Sequence, residues 1–440
     1  MHLPEAIEWL YGLQHFGIKL GLDSMRALLA EMGEPQRAYR AVHVAGTNGK
    51  GSVAAAIDAL LLAHGVRSAL YTSPHLVRPH ERMRILGRDI GSDELASRLS
   101  RMRERIEAGL AAGRLEAHPS FFEVVTAVAL ETFRDHGIEA AVLEVGLGGR
   151  LDATNVVDAE VGVIVGIDLD HTRVLGATLA EIADEKAGIV KPGMVLVNGA
   201  VQQSAVDRIR LACERRGARF VEGRAAVELS AEDGRGGLTL RTERGMYSEL
   251  HLALEGRHQI DNARLALAAF EEIASCIGLV PEADRVRDGL ANVRWPGRLQ
   301  WVDWPDGAPR VLVDGAHNPA GIAALVRYVR SLGGAPPVLL FGATAGRPLD
   351  ELVDPLSSIA RGAVITRPPV DRAVDPRDIA ELARRALDPV VVEPDPRAAI
   401  ARARKLAGPE RFVLVAGSLY LVGSILGMLE TEDVPGPVAM

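Results

Sequence analysis

The sequence predicts an α/β protein with two sheet-containing units, and three observations carry that prediction. Strand and helix patterns alternate on both sides of residue 296, a glycine-rich loop joins an early strand to its helix, and the core-forming residues are mostly aliphatic. At 440 residues the chain exceeds what one core usually supports. Hydrophobic residues make up 48% and aromatic residues only 4%, so the interior is built from Ala, Val, Leu and Ile, which suits α/β layers better than an aromatic-rich sandwich.

Taken in order, residues up to about 40 read as short helices around a turn at 16–22. Residues 41–45 have the small and β-branched character of a buried strand, and 53–63 follow as a helix with few polar interruptions. Strand patterns recur at 68–71, 140–145, 161–167 and 195–198 with helical stretches between them, as in a parallel sheet. Between 219 and 254 the pattern changes to short alternating strands with turns at Asp233-Gly234 and Gly236-Gly237, which predicts a small antiparallel insert. A helix is expected over 260–275. Trp295-Pro296-Gly297 breaks the chain and divides it into domains 1–296 and 297–440. Strands at 311–313, 338–341, 363–366, 390–392 and 412–415 then build a second, Rossmann-like sheet, and 431–440 reads as a frayed tail.

Lys plus Arg total 50 against 58 for Asp plus Glu, and this net charge of -8 argues against a general nucleic-acid binder. The arginine-rich stretches 98–105 and 402–405 read as solvated helix faces. Cys213 and Cys276 supply neither a disulfide framework nor a zinc knuckle, and no run approaches the roughly 20 apolar residues of a membrane span. The expectation is a cytoplasmic protein without membrane partners.

Val44-Ala45-Gly46-Thr47-Asn48-Gly49-Lys50-Gly51-Ser52 describes a phosphate cradle. Its glycines let the backbone approach an anion, the first helical N–H groups point at that anion, Lys50 adds charge, and Ser52 offers a hydroxyl to magnesium. The spacing departs from the general phosphate-loop pattern, with two residues between Gly46 and Gly49 and with Gly51 between Lys50 and Ser52. A glycine-rich helix cap is the alternative. Three further stations follow strands. Thr72-Ser73-Pro74-His75 offers a hydroxyl or simply starts a turn. Glu144, ahead of a run from Gly146 to Asn155, offers a hard oxygen donor to magnesium. Asp168-Leu169-Asp170-His171 offers an imidazole to a cation or phosphate. The capping box Thr178-Leu179-Ala180-Glu181 places Lys186 on a helix ending near Gly188.

This ordered set, with Leu143-Glu144-Val145-Gly146-Leu147-Gly148-Gly149-Arg150-Leu151-Asp152-Ala153-Thr154-Asn155, Leu169-Asp170-His171-Thr172 and Glu185-Lys186-Ala187-Gly188-Ile189, resembles the folylpolyglutamate synthase/dihydrofolate synthase family of the Mur ligase superfamily. Asp314-Gly315-Ala316-His317-Asn318-Pro319 and Gly417-Ser418-Leu419-Tyr420 continue the match, so it spans most of the chain. The inserted Gly51 is normal in that family. One stretch departs from it: Phe341-Gly342-Ala343-Thr344-Ala345-Gly346-Arg347-Pro348 stands where relatives often carry an Asp-Lys-Asp-like run.

The resemblance implies a phosphate-loop ATPase domain followed by a Rossmann-like domain, and an enzyme that joins L-glutamate to dihydropteroate or to reduced folates through an acyl phosphate. It implies ATP contacts from Thr47, Asn48, Gly49, Lys50, Gly51, Ser52, Asn262, Arg298, Asp314 and His317. Ser73, Glu144 and His171 would hold magnesium, with two such ions and a monovalent cation as cofactors. Lys50, Lys186 and His171 would serve catalysis, and Lys186 would carry a carbamate (N6-carboxylysine). Ser120, Phe121, Phe122 and Leu151 would hold the pterin substrate, although helix-start packing is their plainer role. The divided set of residues implies domain closure on binding, and the family suggests a monomer. Polyglutamylation alone, another Mur-type amino-acid ligase and a non-catalytic nucleotide-binding protein remain alternatives. The roughly 40 residues before the loop are few for the additional domain of a peptidoglycan-precursor ligase.

Overall fold

β1 (Arg40–Ala45) is buried at every position after Arg40 and lies inside an eight-stranded sheet. In the computed structural model, which describes residues 1–17, 21–232, 237–305 and 307–429, that sheet also contains β2 (Ser68–Tyr71), β3 (Met83–Ile85), β4 (Arg88–Asp89), β5 (Ala140–Glu144), β6 (Val161–Ile164), β7 (Val195–Asn198) and β8 (Arg219–Glu222). Their spatial order is β4-β3-β2-β5-β1-β6-β7-β8. The six strands from β2 to β8 in this order run parallel, and except for the edge strand β8 (Arg-Phe-Val-Glu) their mostly apolar sequences reflect burial on both faces by helices. The antiparallel pairings of β2 with β3 and of β3 with β4 make the sheet mixed. β3 and β4 were not expected, because runs of two or three residues interrupted by Arg84, Arg88 and Asp89 carry too little periodicity.

The small insert is a separate antiparallel sheet of β9 (Glu228–Glu232), β10 (Leu238–Arg241) and β11 (Met246–Leu250), ordered β11-β10-β9. It begins later than the pattern predicted, since residues 219–222 instead extend the large sheet as β8. The expected turn residues Asp233, Gly234 and Gly236, residues 18–20 of the early turn and the tail 431–440 lie outside the described residues. The helix expected at 260–275 is His258–Cys276.

A second sheet contains β12 (Gln300–Trp304), β13 (Gly307–Val313), β14 (Val338–Phe341), β15 (Gly362–Ile365), β16 (Val390–Val392) and β17 (Val413–Ala416), in the order β12-β13-β17-β14-β15-β16. All pairings are parallel except β12 with β13. The edge strand β12 escaped the sequence pattern because its alternation Gln-Trp-Val-Asp-Trp is half polar and only Val302 is buried. The chain divides into two compact units. One contains Met1–Pro74, His80–Ala253 and Gln259–Arg294, and the other contains His75–Pro79, Leu254–His258 and the chain from Trp295 onward. No described helix is long and apolar enough to cross a membrane.

The arginine stretch at 98–105 is not wholly a solvated face. Arg98, on the helix Ser92–Ala111, is buried and donates to Glu94 at 2.8 Å and to Asp135 at 2.9 Å. Its aliphatic stem packs inward while carboxylates from two helices neutralise the head. Asp135 closes the helix Phe121–Asp135, which caps one face of the large sheet through Val124, Val128 and the fully buried Phe133. The Phe133 ring meets Tyr39 edge-on with centroids 6.2 Å apart. Phe133→Ala should therefore lower stability by about 3 to 5 kcal/mol through the cavity it leaves, read as a shift of the urea midpoint with unchanged slope.

Candidate active site

The phosphate loop leaves β1 and enters the helix Lys50–Ala63. Gly49 is the N-cap of that helix with φ 82°, a left-handed conformation that a side chain would strain, and a Cβ there would lie 2.9 Å from Asn262 Oδ1. Neighbouring elements hold the loop. Thr47 N donates to Gly166 O at 2.8 Å, and Thr47 Oγ1 donates to Asp168 O at 3.2 Å while accepting from Asp168 N at 3.0 Å. Lys50 Nζ folds back to Thr47 O at 3.3 Å. Ser52 Oγ accepts from Gln259 Nε2 at 3.4 Å, and Gln259 Oε1 accepts from Asn262 Nδ2 at 2.8 Å. The helix start thus presents N–H groups and a lysine in a cradle braced from two sides, as anion binding requires.

Glu144 ends β5, level with Val44 in the register, and is buried. Its Oε2 accepts the backbone N–H of Ser73 at 3.2 Å, so the station after β2 reaches the carboxylate through its main chain. The stretch after β6 brings Asp168, whose pKa is raised by burial and also by the nearby Asp170 charge, while its hydrogen bond with Asn48 opposes the rise. Asp170 is buried and accepts the N–H of His171 at 2.8 Å. His171 itself has φ 49°, a left-handed conformation that costs a non-glycine residue about 1 to 2 kcal/mol. Such strain at a strand-end station is characteristic of functional sites.

Lys186 ends the helix Leu179–Lys186, whose capping box forms as expected: Thr178 Oγ1 accepts from Glu181 N, and the Glu181 carboxylate accepts from Thr178 N. The lysine is not a surface residue. It is buried and donates from Nζ to Gly46 O at 2.8 Å, at the start of the phosphate loop. Burial, reinforced by the Lys50 charge, lowers its pKa to about 7, against the opposing pull of Asp170 and Asp152.

Among the expected pterin-site residues, Ser120 caps the helix Phe121–Asp135 and shares a capping box with Glu123. Phe121 stacks on Tyr11 at 5.7 Å between centroids, with the Arg82 guanidinium 5.3 Å from its ring centre. Phe122 packs toward Tyr71, and Leu151 is an exposed apolar side chain. Both partly buried rings thus have aromatic neighbours, and the Leu151 side chain is open to solvent.

In the second unit, Asp314 follows β13 and is buried. Its two oxygens accept the N–H groups of Leu299 at 2.9 Å and Ala316 at 2.8 Å. Burial raises its pKa, while the Arg298 guanidinium and these two N–H groups lower it. His317 Nδ1 lies 2.7 Å from Gly315 O, so Nδ1 carries the hydrogen, and Asn318 caps the helix Pro319–Leu332. The departing stretch is ordered by its own neighbours: Thr344 bridges Ala373, Ala345 N donates to Arg372 O at 2.7 Å, and Val374 N donates to Ala343 O at 3.0 Å. Sequence reasoning gave no role to Asp168 or Gln259. Asp168 was visible as the first polar residue after an apolar run, and Gln259 as the residue three before Asn262 on one helix face.

Residues 44–270 match the Mur ligase middle domain, and residues 297–419 match the Mur ligase glutamate ligase domain. The chain is 33% identical over 430 residues to the dihydrofolate synthase/folylpolyglutamate synthase of Bacillus subtilis, covering 96% of this chain and 97% of the relative. Its structure is similar to Mycobacterium tuberculosis folylpolyglutamate synthase complexed with ADP, with a TM-score of 0.89 at 32% identity over 98% of this chain and 99% of the other. It is also similar to E. coli FolC in complex with DHPP and ADP, with a TM-score of 0.85 at 29% identity over 96% and 97% of the two chains.

The depressed Lys186 pKa has a measurable consequence. Between about 7 in the native state and the ordinary 10.5 of an exposed lysine, the unfolded chain holds a proton that the native chain has released, so this group makes stability rise with pH across that window. In buffers freed of carbon dioxide, the stability advantage of Lys186→Met over the wild type should shrink by about 2 kcal/mol between pH 7 and pH 9 in urea unfolding. A constant difference would mean that Lys186 titrates as an exposed amine.

Proposed function

The chain belongs to the dihydrofolate synthase/folylpolyglutamate synthase family of Mur ligases, and from that premise we propose that it joins L-glutamate to dihydropteroate, giving dihydrofolate, and to reduced folates, giving folylpolyglutamates, with cleavage of ATP. The observation that carries this reading is the meeting of a buried lysine of lowered pKa with a phosphate loop, Lys186 Nζ on Gly46 O. An ordinary nucleotide-binding protein has no need to bury an amine there.

A carboxylate is a poor acyl donor. One of its oxygens attacks the γ-phosphorus of ATP, the bond to the β-phosphate bridge breaks, and ADP leaves behind an acyl phosphate. The glutamate amine then adds to the acyl carbon, loses a proton and expels inorganic phosphate from the tetrahedral intermediate. Positioning and charge neutralisation do most of this work. The N–H groups of residues 47–52 and the Lys50 ammonium would bind the phosphates, with Asn262 from the same unit and Arg298, Asp314 and His317 from the second unit on the nucleotide. Ser120, Phe121, Phe122 and Leu151 would border the pterin. We assign the domains 1–296 and 297–440 to these two groups of contacts and take the working form to be a cytoplasmic monomer.

Among the described residues, no three His, Cys, Asp or Glu side chains gather as a metal cage. Magnesium needs no such cage, since it keeps its waters and takes one or two carboxylates plus phosphate oxygens. Glu144 is a buried carboxylate of this kind, and Ser73 and His171 complete the proposed set. When bound, magnesium would neutralise charge on the transferred phosphoryl group. A monovalent cation remains part of the proposal as a supporting ion.

Lys186 is suited to carbamate formation because only a neutral amine attacks carbon dioxide. A pKa of about 7 leaves much of the amine neutral near physiological pH. Nitrogen bonds to carbon, a proton departs, and a cation becomes a carboxylate-like anion beside the phosphate loop.

The test is product mass after incubation with ATP, magnesium and L-glutamate, with dihydropteroate in one tube and a reduced monoglutamyl folate in another. One glutamate added in both tubes is expected; addition to the folate alone would narrow the activity to polyglutamylation. Lys186→Ala should stay folded and lose at least about a hundredfold in glutamate-dependent ADP release, and near-normal turnover would remove the lysine from the mechanism. Glu144→Ala should lose turnover on a similar scale of about a hundredfold even at saturating magnesium, with little change in melting temperature.

A further inference from the structure

We propose that His43 is a positioning residue for this ligase: through Thr154 and Asp152 it fixes the loop 146–155 against the helix end that carries Lys186. The inference rests on the ligase reading above, and no part of that reading uses His43.

His43 sits in β1, three residues before Gly46, and is fully buried. Its Nε2 lies 2.8 Å from Thr154 Oγ1. Thr154, also fully buried, donates both its hydroxyl and its backbone N–H to Asp152 Oδ1. Asp152 Oδ2 accepts the N–H of Leu147 at 2.9 Å, and the Gly146 N–H also points at this carboxylate. Burial raises the Asp152 pKa, but every hydrogen around it is already aimed at its oxygens, which favours the ionised acceptor. The single hydroxyl hydrogen of Thr154 is then committed to Asp152, so Thr154 Oγ1 must accept from His43 Nε2–H. Among the described residues His43 Nδ1 has no hydrogen-bond partner, as suits a lone pair rather than a second buried N–H. Burial, together with the Lys191 charge, pushes the imidazole pKa down to about 3, so the ring is neutral.

The polarity of this relay therefore runs one way, from His43 to Thr154 to Asp152, and it closes the 146–152 loop on itself. The closed loop packs on the end of the lysine-bearing helix without room to spare. A Cβ at Gly149 would lie 2.8 Å from Glu185 O and 3.0 Å from Lys186 Cα. Arg150 N donates to Glu185 O at 2.9 Å, and Asn155 Nδ2 donates to Arg150 O at 2.9 Å and Gly188 O at 3.1 Å. The strand that delivers the phosphate loop and the loop that braces Lys186 are thus joined by one buried imidazole. A small misplacement of a catalytic group is enough to lower turnover without weakening substrate binding.

The experiment uses the full chain with His43→Leu, His43→Gln, Thr154→Val and Thr154→Ser. Gln keeps an N–H donor at similar reach, and Ser keeps the hydroxyl. His43→Leu and Thr154→Val should each lower kcat by about tenfold or more with KM for ATP within about twofold, and should speed amide exchange in 146–155 by about tenfold while the strands stay protected. The double variant should be no worse than either single, and Gln and Ser should restore most of the loss. A folded His43→Leu with wild-type kcat and exchange would overturn the proposal, and so would failure of Gln to rescue in a chain that melts normally. If His43→Leu does not fold, the volume-conserving Thr154→Val decides alone. If the wild type releases no ADP in response to glutamate, the ligase reading fails, and the exchange data still decide whether the relay holds the loop.

Discussion

β1 pairs with β5 on one side and β6 on the other, and this arrangement is the constraint on which the first unit's site depends. Because the strands are parallel, their carboxyl ends open in the same direction, where ligands of open α/β sheets bind. Val44 is level with Glu144 and with Val163, so residues about a hundred positions apart in sequence leave the sheet side by side. The phosphate loop, the Glu144 carboxylate and the Asp168–His171 stretch are consequences of that register. A one-residue slip of β1 would turn its side chains to opposite faces and break all three relationships at once.

Burial is the leading cause of the perturbed ionisations at these strand ends. It lowers Lys186 and raises Asp152 and Asp168, and in each case hydrogen bonds or opposite charges counter part of the effect. Burying several such groups near a phosphate cradle costs stability, which a purely structural loop would avoid with apolar residues. The pattern is that of a site organised for anionic ligands, where fixed donors replace water before the ligand arrives. In the second unit the same logic recurs on a smaller scale, with Asp314 holding the turn after β13 through two backbone N–H groups.

Much of this was legible in the chain. Four strands, β2, β7, β14 and β16, coincide with short apolar runs; burial throughout β2 and β14 leaves little freedom in which residues can fill them, while β16 is half-buried and is marked by its three consecutive valines. The two- and three-residue strands β4 and β3 and the edge strand β12 were not legible, since so few residues carry little pattern and an edge strand can be half polar and still pair. Arg98 was misread for a related reason: helical spacing shows that an arginine lies on a helix, not which carboxylates from another helix will bury it. Lys50 and Glu144 were singled out by the loop and the strand end themselves, and Thr47 and Lys186 by motif resemblance, but Asp168, Gln259 and His43 were not, because their partnerships are hydrogen bonds across more than a hundred residues.

By itself the sequence determined the alternation of strands and helices, the glycine-bearing phosphate loop and the family to which the chain belongs. Each of these is a local or ordered pattern: hydrophobic periodicity, a turn that needs φ above zero, and motifs in a characteristic succession. Only the tertiary structure decided that Lys186 is buried against Gly46, that Glu144 receives the Ser73 amide, and that His43 reaches Asp152 through one hydroxyl. The physical reason is that burial and hydrogen-bond partnership belong to pairs of groups in space. The same lysine at the end of the same helix would be an ordinary exposed cation if β1 did not bring the phosphate loop to meet it.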